Sequence, residues 1–192
     1  MITTEQVKQL RSRTGISIMQ CKKALEEAGG DMEKAEVLLR KKSKEVAAKK
    51  AERDLRAGVV ASYVHGNGKV GSLVELLCET DFVAKNDEFK ALAYNIAMQV
   101  AATDVEFLKK EDISEEDKAK VIEVITEEVK DKPEDMREKI MEGKLDAYFK
   151  DRVLLEQSFI KDPEKKISDL IQGAVQKFGE RTEIGRFAKF NI

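Results

Sequence analysis

The stretch that decides the fold is GVVASYVHGNGKVGSLVELLCET, residues 58–80. Two runs rich in β-branched and apolar residues flank a polar segment around Asn67-Gly68. In the second run, apolar side chains recur on one face, as expected of a half-buried strand, at Val70, Val74, Leu76 and Cys78. Asn67-Gly68 between two such runs predicts a β-hairpin with a type I′ turn, because that turn needs positive φ at both central positions.

Upstream of the hairpin, residues 1–40 predict a module of three short helices. Thr3 and Gln6 have the spacing of a capping box, and Asp31 is a natural N-cap for the third helix. Gly29-Gly30 separates the second and third helices, since Gly accepts the left-handed C-cap conformation. Helical spacing assigns the inner face of the second helix to Ile18, Cys21, Leu25 and Ala28.

The segment that joins this module to the hairpin is strongly basic. Between Arg40 and Arg56 there are eight basic and three acidic residues, a net charge of +5. Charged runs are most often solvated faces, so we predict a basic helical linker over residues 41–57. Contact of this segment with RNA or with an acidic partner is the alternative.

Residues 58–192 predict the core of an α+β protein. A helix is expected to start near Asn86 after the hairpin, and another is expected after Pro163. The last residues, 183–192, alternate as a strand. We expect this strand to join the hairpin in a three-stranded antiparallel sheet with helices packed on one face.

The middle of this core is acidic. Residues 103–135 contain thirteen acidic residues and six lysines. Helices are predicted to start at Ser114 and at Pro133, and the second is predicted to be interrupted at Gly143. Helical spacing assigns the inner faces of these helices to Val121, Ile122, Ile125, Val129, Met136, Ile140 and Met141.

Composition excludes several classes of protein. The chain has 192 residues and a formal net charge of −2, which argues against a general binder of nucleic acids or membrane surfaces. No apolar run approaches the roughly 18 residues of a membrane span, and MITTEQVKQL at the start lacks the pattern of a signal peptide. We therefore expect a cytoplasmic protein.

Residues able to carry catalysis are scarce. His65 is the single histidine and lies at the predicted hairpin tip, while Cys21 and Cys78 are too few for a zinc site of their own. The glycines of residues 66–71 formally spell G-x-G-x-x-G, but a strand follows them where a dinucleotide site needs a helix. We expect no enzyme activity, no metal site and no cofactor.

Two places present bulky apolar residues in unusual settings. In Thr80–Val83, Phe82 either tucks beneath the following helix while Asp81 binds a backbone N–H, or it is displayed as a wedge on a rigid loop. Met19 follows Ile18 at the start of the second helix, and both cannot face the core of so small a module. An exposed Met19 would be a contact point for a partner.

Motifs spread along the whole chain resemble those of the bacterial elongation factor Ts family. In chain order they are RTG at 13–15, CKKAL at 21–25, GDMEKA at 30–35, TDFVAKN at 80–86, LLEQSFIKD at 154–162 and GRFAKF at 185–190. Each motif is short, but the set in this order is specific. One departure is Ser158, which stands where the family usually has proline.

The resemblance implies a guanine-nucleotide exchange factor for elongation factor Tu in its GDP-bound form. The first three helices would be a ubiquitin-associated-like module that grips the GTPase domain of the partner through Arg11, Ile18, Met19 and Lys22. A second segment would disturb the partner's Mg²⁺ site, with Phe82 as the wedge, and consists of Thr80, Asp81, Phe82 and Val83.

The chain has a single hairpin-bearing half, so it resembles the short form of that family. This form implies a homodimer that pairs two cores through the sheet-bearing domain, residues 58–192, and binds two partner GTPases; no direct contact with nucleic acid is expected. Unpaired strand edges would give such a dimer a physical cause. The rival hypothesis is an adaptor whose module binds a protein and whose basic linker binds RNA.

Overall fold

A computed structural model describes residues 2–130 and 133–192 of the chain. It is an α+β structure, as predicted. Its α-helices and β-strands are α1 (Thr4–Thr14), α2 (Ile18–Glu27), α3 (Met32–Lys50), β1 (Ala57–Val64), β2 (Val70–Cys78), α4 (Asp81–Ala84), α5 (Asp87–Ala102), α6 (Glu115–Val129), α7 (Glu134–Lys150), β3 (Ser158–Phe159), β4 (Asp162–Lys166), α8 (Ile167–Phe178) and β5 (Thr182–Asn191). Within the acidic stretch, residues 131 and 132 lie outside the described residues.

The three N-terminal helices begin where their caps predict. Thr3 and Gln6 form the capping box, with each side chain accepting from the backbone N–H of the other residue. Leu10, Cys21 and Leu25 are fully buried in the small core of these helices. The prediction that Ile18 lies on the inner face is wrong, because Ile16 in the preceding turn occupies that part of the core.

Helix α3 continues without a break from the module into the basic segment. It therefore crosses residue 40, where we placed the end of the module, and the position of a domain boundary stays a prediction. Ser43 on this helix is buried and donates hydrogen bonds to the carbonyl of Leu39 and to Gln176 of α8. Lys50, at the other end of the segment, donates to the carbonyl of Gly179.

The sheet is three-stranded and antiparallel, as predicted. In the described residues, β2 lies between β1 and β5 and pairs antiparallel with both. Its inner face is buried at Ser72, Val74, Leu76 and Cys78, and α5 packs across that face. Phe89 and Ile96 of α5 are fully buried there, as the apolar stripe of this helix predicts.

The hairpin turn differs from the prediction. The connection is a loop of residues 65–69, in which the N–H of Gly68 donates to the carbonyl of His65 over 2.7 Å. Gly68 has φ +69°, whereas Asn67 does not have positive φ. The prediction of a type I′ turn is therefore wrong. In this longer loop Asn67 does not need positive φ. The carboxamide oxygen of Asn67 accepts from the N–H of Lys69 over 3.0 Å.

Helix α7 runs through Gly143 to Lys150, so the predicted interruption is wrong. A glycine within a helix costs about 0.5–1 kcal/mol relative to alanine, and tertiary packing outweighs that cost. Phe149, near the end of the helix, is buried against Phe107 at 5.9 Å between ring centroids. Ile122 and Met136 are exposed, which also corrects their assignment to the inner faces.

We predict that Gly143→Ala stabilises the protein. The new Cβ would have no atom within 4 Å, and alanine lowers the backbone entropy of the unfolded chain, so the free energy of unfolding should rise by about 0.5–1 kcal/mol. Gly58→Ala is the matched control, because its Cβ would lie 2.5 Å from the carbonyl oxygen of Leu76 and should destabilise the protein. Urea unfolding followed by circular dichroism measures both, and a less stable Gly143→Ala would contradict the expectation.

Candidate partner-binding site

The histidine and the cysteines are placed as structural residues. His65 is exposed at the hairpin, with its Nδ1 3.1 Å from the hydroxyl of Tyr63. Cys21 and Cys78 are fully buried free thiols, and burial raises the pKa of each. Among residues 2–130 and 133–192, no cluster of three or more His, Cys, Asp or Glu could hold a metal ion. Over the same residues, none of the helices has the length and apolar character needed to cross a bilayer.

The start of α2 presents apolar side chains to solvent. Ile18 is 54% exposed and Met19 is 81% exposed. Ser17 caps the helix by accepting from the N–H of Gln20, which sets the direction in which these two side chains leave the backbone. Adjacent exposed apolar residues at a capped helix start are typical of a protein-contact surface.

Two basic residues accompany this apolar pair. Arg11 is exposed in the last turn of α1, and its carbonyl accepts from the N–H of Gly15 over 2.7 Å. Lys22 lies on α2, where its Nζ is 3.9 Å from Glu26 across one helical turn. A pair this long and this exposed contributes little to stability, so the ammonium group is available to an acidic partner.

The TDFV segment, residues 80–83, is a single helical turn rather than an open loop. Phe82 is 85% exposed, while Val83 and Ala84 are buried against the core. The interpretation in which Phe82 tucks beneath the next helix is therefore wrong, because Val83 takes that inner position. Within the described residues, the carboxylate of Asp81 makes no hydrogen bond; only its backbone carbonyl does, accepting from the N–H of Lys85 over 3.0 Å.

Side chains from the start of β5 hold this turn in place. Glu180 accepts hydrogen bonds from Thr80 and from the N–H of Glu79. Glu79 in turn accepts from the N–H of Arg181 and pairs with Arg53 at 3.3 Å, and both of these contacts lower the pKa of its carboxyl. Sequence reasoning missed Glu180 and Arg181, because they lie about a hundred residues from Thr80 and Glu79 and no local spacing connects them.

Helix α8 brings the two exposed elements to one end of the molecule. Lys177 near its C-terminus pairs with Glu88, in the first turn of α5, over 2.8 Å. The same ammonium approaches Gly15 so closely that a Cβ there would lie 3.3 Å from it. Gln176 reaches Gln20, beside Met19, over 3.4 Å. The loop before α2 and the first turn of α5 therefore lie against the same end of α8.

The structure thus presents exposed apolar side chains on two anchored turns. A family profile described as Elongation factor TS matches residues 33–192. Elongation factor Ts of Thermotoga petrophila is 50% identical over 191 residues, covering 100% of this chain and 96% of that protein. Elongation factor Ts of Thermosipho melanesiensis is 50% identical over 194 residues and is covered to 99%. The chain belongs to the elongation factor Ts family, and it is a translation elongation factor.

We predict that both thiols resist modification in the folded protein. Burial removes access and raises the pKa of each thiol, so little thiolate is present near pH 8. Ellman's reagent should titrate fewer than one thiol in buffer and two in 6 M guanidinium, with the denatured sample as the control. Rapid reaction of either cysteine under native conditions would contradict this placement.

Proposed function

We propose that this protein is a guanine-nucleotide exchange factor that binds elongation factor Tu in its GDP form and promotes release of GDP so that GTP can enter. The observation that supports this most strongly is Phe82, which is 85% exposed on a turn whose next two residues are buried. Exposing an aromatic side chain to water in this way is unfavourable in the free protein. It is suited to fill a pocket on a partner, where burying it contributes about 1.5–3 kcal/mol.

The two exposed elements would have different tasks. The module provides the grip on the GTPase domain through Arg11, Ile18, Met19 and Lys22, which combine apolar contact with positive charge. The TDFV segment provides the displacement, with Phe82 inserted between elements of the partner and Asp81 beside it. Because Gln20 of α2 and Glu88, in the first turn of α5 that follows the TDFV segment, both contact the same end of α8, we expect one partner to meet both elements.

The thermodynamics of exchange need no chemical catalysis from this chain. The Mg²⁺ ion held by the partner neutralises phosphate charge on bound GDP. Contacts that distort its support weaken GDP binding, and linkage requires that GDP weakens the exchange factor by the same factor. A displacing side chain and a gripping surface are sufficient, so we propose that the protein is not an enzyme, carries no cofactor and acts in the cytoplasm, where elongation takes place.

We also propose that the protein is a homodimer formed through its sheet. The face of the sheet turned away from α5 exposes Val60, Val64, Leu73 and Phe190. The strand register sets Val64 and Phe190 on either side of Gly71, so each of the three strands contributes to this face. β1 and β5 are also edge strands. A second copy that covers this surface would leave Phe82 and Met19 free to bind, because both residues lie on elements outside the sheet. Each subunit could then bind one partner.

The adaptor hypothesis places RNA on the basic segment, and the contacts of this segment argue against it. Four of its side chains are engaged within the chain: Lys42 with Glu27, Lys50 with Gly179, Arg53 with Glu79 and Arg56 with Asp54. Cations used in this way contribute less to a phosphate-binding surface. We therefore propose no direct contact with nucleic acid.

Release of fluorescent GDP from elongation factor Tu tests the exchange function. The wild-type chain should accelerate release, and Phe82→Ala should lower the acceleration by about thirtyfold, as expected for a buried aromatic anchor worth about 2 kcal/mol. Val124→Ala is the matched control, since Val124 is an equally isolated exposed apolar residue on α6. The adaptor hypothesis instead predicts that the wild-type chain has no effect and that Phe82→Ala is silent.

Sedimentation of the pure protein at micromolar concentration tests the homodimer. Leu73→Glu places a charge in the middle of the exposed sheet face and should weaken association by about a hundredfold, because a buried unpaired charge is costly. Val124→Glu, on α6, should leave the dimer intact. A wild-type chain that sediments as a monomer would rule out this assembly.

A further inference from the structure

Glu180 joins two parts of the chain that are far apart in sequence. It follows Gly179, the residue with φ +73° that ends α8. Its Oε2 accepts from the N–H of Glu79 over 3.1 Å and from the N–H of Thr80 over 3.0 Å. Its Oε1 accepts from the hydroxyl of Thr80 over 2.6 Å. One carboxylate thus receives three donors from two consecutive residues, an arrangement of charge-assisted hydrogen bonds.

The side chain of Thr80 makes this contact in place of the hydrogen bond expected of an N-cap threonine. A threonine at the N-cap normally accepts from an N–H of the first helical turn. Thr80 is the N-cap residue of α4, but within the described residues its side chain makes no cap hydrogen bond and donates to Glu180 instead. The local cap is replaced by a tether to the start of β5, and this tether sets the angle at which α4 leaves β2.

The tether matters because α4 cannot hold its own shape. It has four residues, far fewer than an isolated helix needs in water. Phe82 contributes almost no packing, since 85% of its side chain is exposed. The direction of Phe82 therefore depends on the buried side chains of Val83 and Ala84 on one side and on the hydrogen bonds of Thr80 on the other.

The residue after Glu180 is also anchored. Arg181 donates its N–H to the carboxylate of Glu79 and its guanidinium to the carbonyl of Arg53. Glu180 thus accepts from the N–H of Glu79, and Glu79 accepts from the N–H of Arg181, across the gap just beyond the last ladder pair of β2 and β5, between Cys78 and Thr182. Two crossed carboxylates extend the strand pairing by side chains where the backbone ladder ends.

We propose that Glu180 is a positioning residue for nucleotide exchange: its carboxylate fixes Thr80 so that Phe82 is presented to the partner GTPase in its inserting orientation. This inference rests on the proposed exchange function. A preformed orientation lowers the entropy lost when the side chain enters the partner. Without the carboxylate, the gripping module still binds, but insertion of Phe82 becomes less favourable.

The exchange assay separates positioning from binding. For Glu180→Ala, the maximal rate of GDP release at saturating exchange factor should fall about tenfold, the effect of losing one strong hydrogen-bonded group. The concentration for half-maximal effect should change less than threefold, because the module is intact. Glu180→Gln, which keeps one acceptor oxygen, should restore part of the rate. Glu142→Ala, at an exposed position on α7, is the matched control.

Thr80 supplies a second pair of variants in case Glu180→Ala does not fold. Thr80→Val loses the hydroxyl that donates to Glu180 and should slow release, whereas Thr80→Ser keeps this donor and should lose less of the rate. The double variant Glu180→Ala with Thr80→Val should be no slower than Glu180→Ala, because both changes break one contact. Fully additive losses would overturn the proposal.

Hydrogen exchange of the free protein reports the tether without the partner. In Glu180→Ala, the amides of Glu79 and Thr80 should lose at least tenfold in protection, since they lose their acceptor. Lost protection with an unchanged maximal rate of GDP release would show that the tether does not position Phe82, and retained protection with a slower rate would show that Glu180 acts in another way. A wild-type chain that fails to accelerate GDP release overturns the exchange function and this inference with it, whereas an active wild-type chain with an equally fast Glu180→Ala variant overturns this inference alone.

Discussion

The pairing of β2 with strands on both of its sides is the constraint on which the rest of the structure depends. As the central strand, β2 must bury one face, and α5 covers it at Val74, Leu76 and Cys78. The chain has only residues 79–86 in which to pass from the end of β2 to the start of α5. So short a connection leaves the backbone little conformational freedom. The helical turn within it must direct some side chains toward the core and others toward solvent. Val83 points in and Phe82 points out.

Because β5 pairs along the same strand, the start of β5 lies beside that connection. Cys78 pairs with Thr182, so the two residues before β5 are opposite the two residues after β2. The helix that precedes β5 is α8, and its other contacts reach α3, α5 and the turn at Gly15. One helix thus relates the N-terminal module to the TDFV segment. The two exposed surfaces are far apart in the sequence, and α8 connects them in the structure.

Much of this architecture could be predicted from local patterns. Caps at Thr3, Ser114 and Asp31 and the alternation in β2 each depend on neighbouring residues, and the structure confirms them. Predictions failed where side-chain packing, rather than spacing along the sequence, decides the outcome. Packing of Phe149 carries α7 through Gly143, and Ile16 displaces Ile18 from the module core. The role of Glu180 depends on strand pairing between residues a hundred positions apart, which periodicity does not reveal.

The charge of the chain follows the same logic. The net charge of −2 averages a basic segment and an acidic one, but their charges are used differently. Basic side chains such as Lys50 and Arg53 join the end of α3 to the turns around Gly179 and Glu79. The acidic residues of α6 pair mainly with lysines one turn away on the same exposed helix, as Glu115 does with Lys118, and such pairs add little stability. The cations thus reinforce the place where the module, the sheet and the TDFV segment meet, which is the place where an exposed aromatic side chain most needs a rigid support.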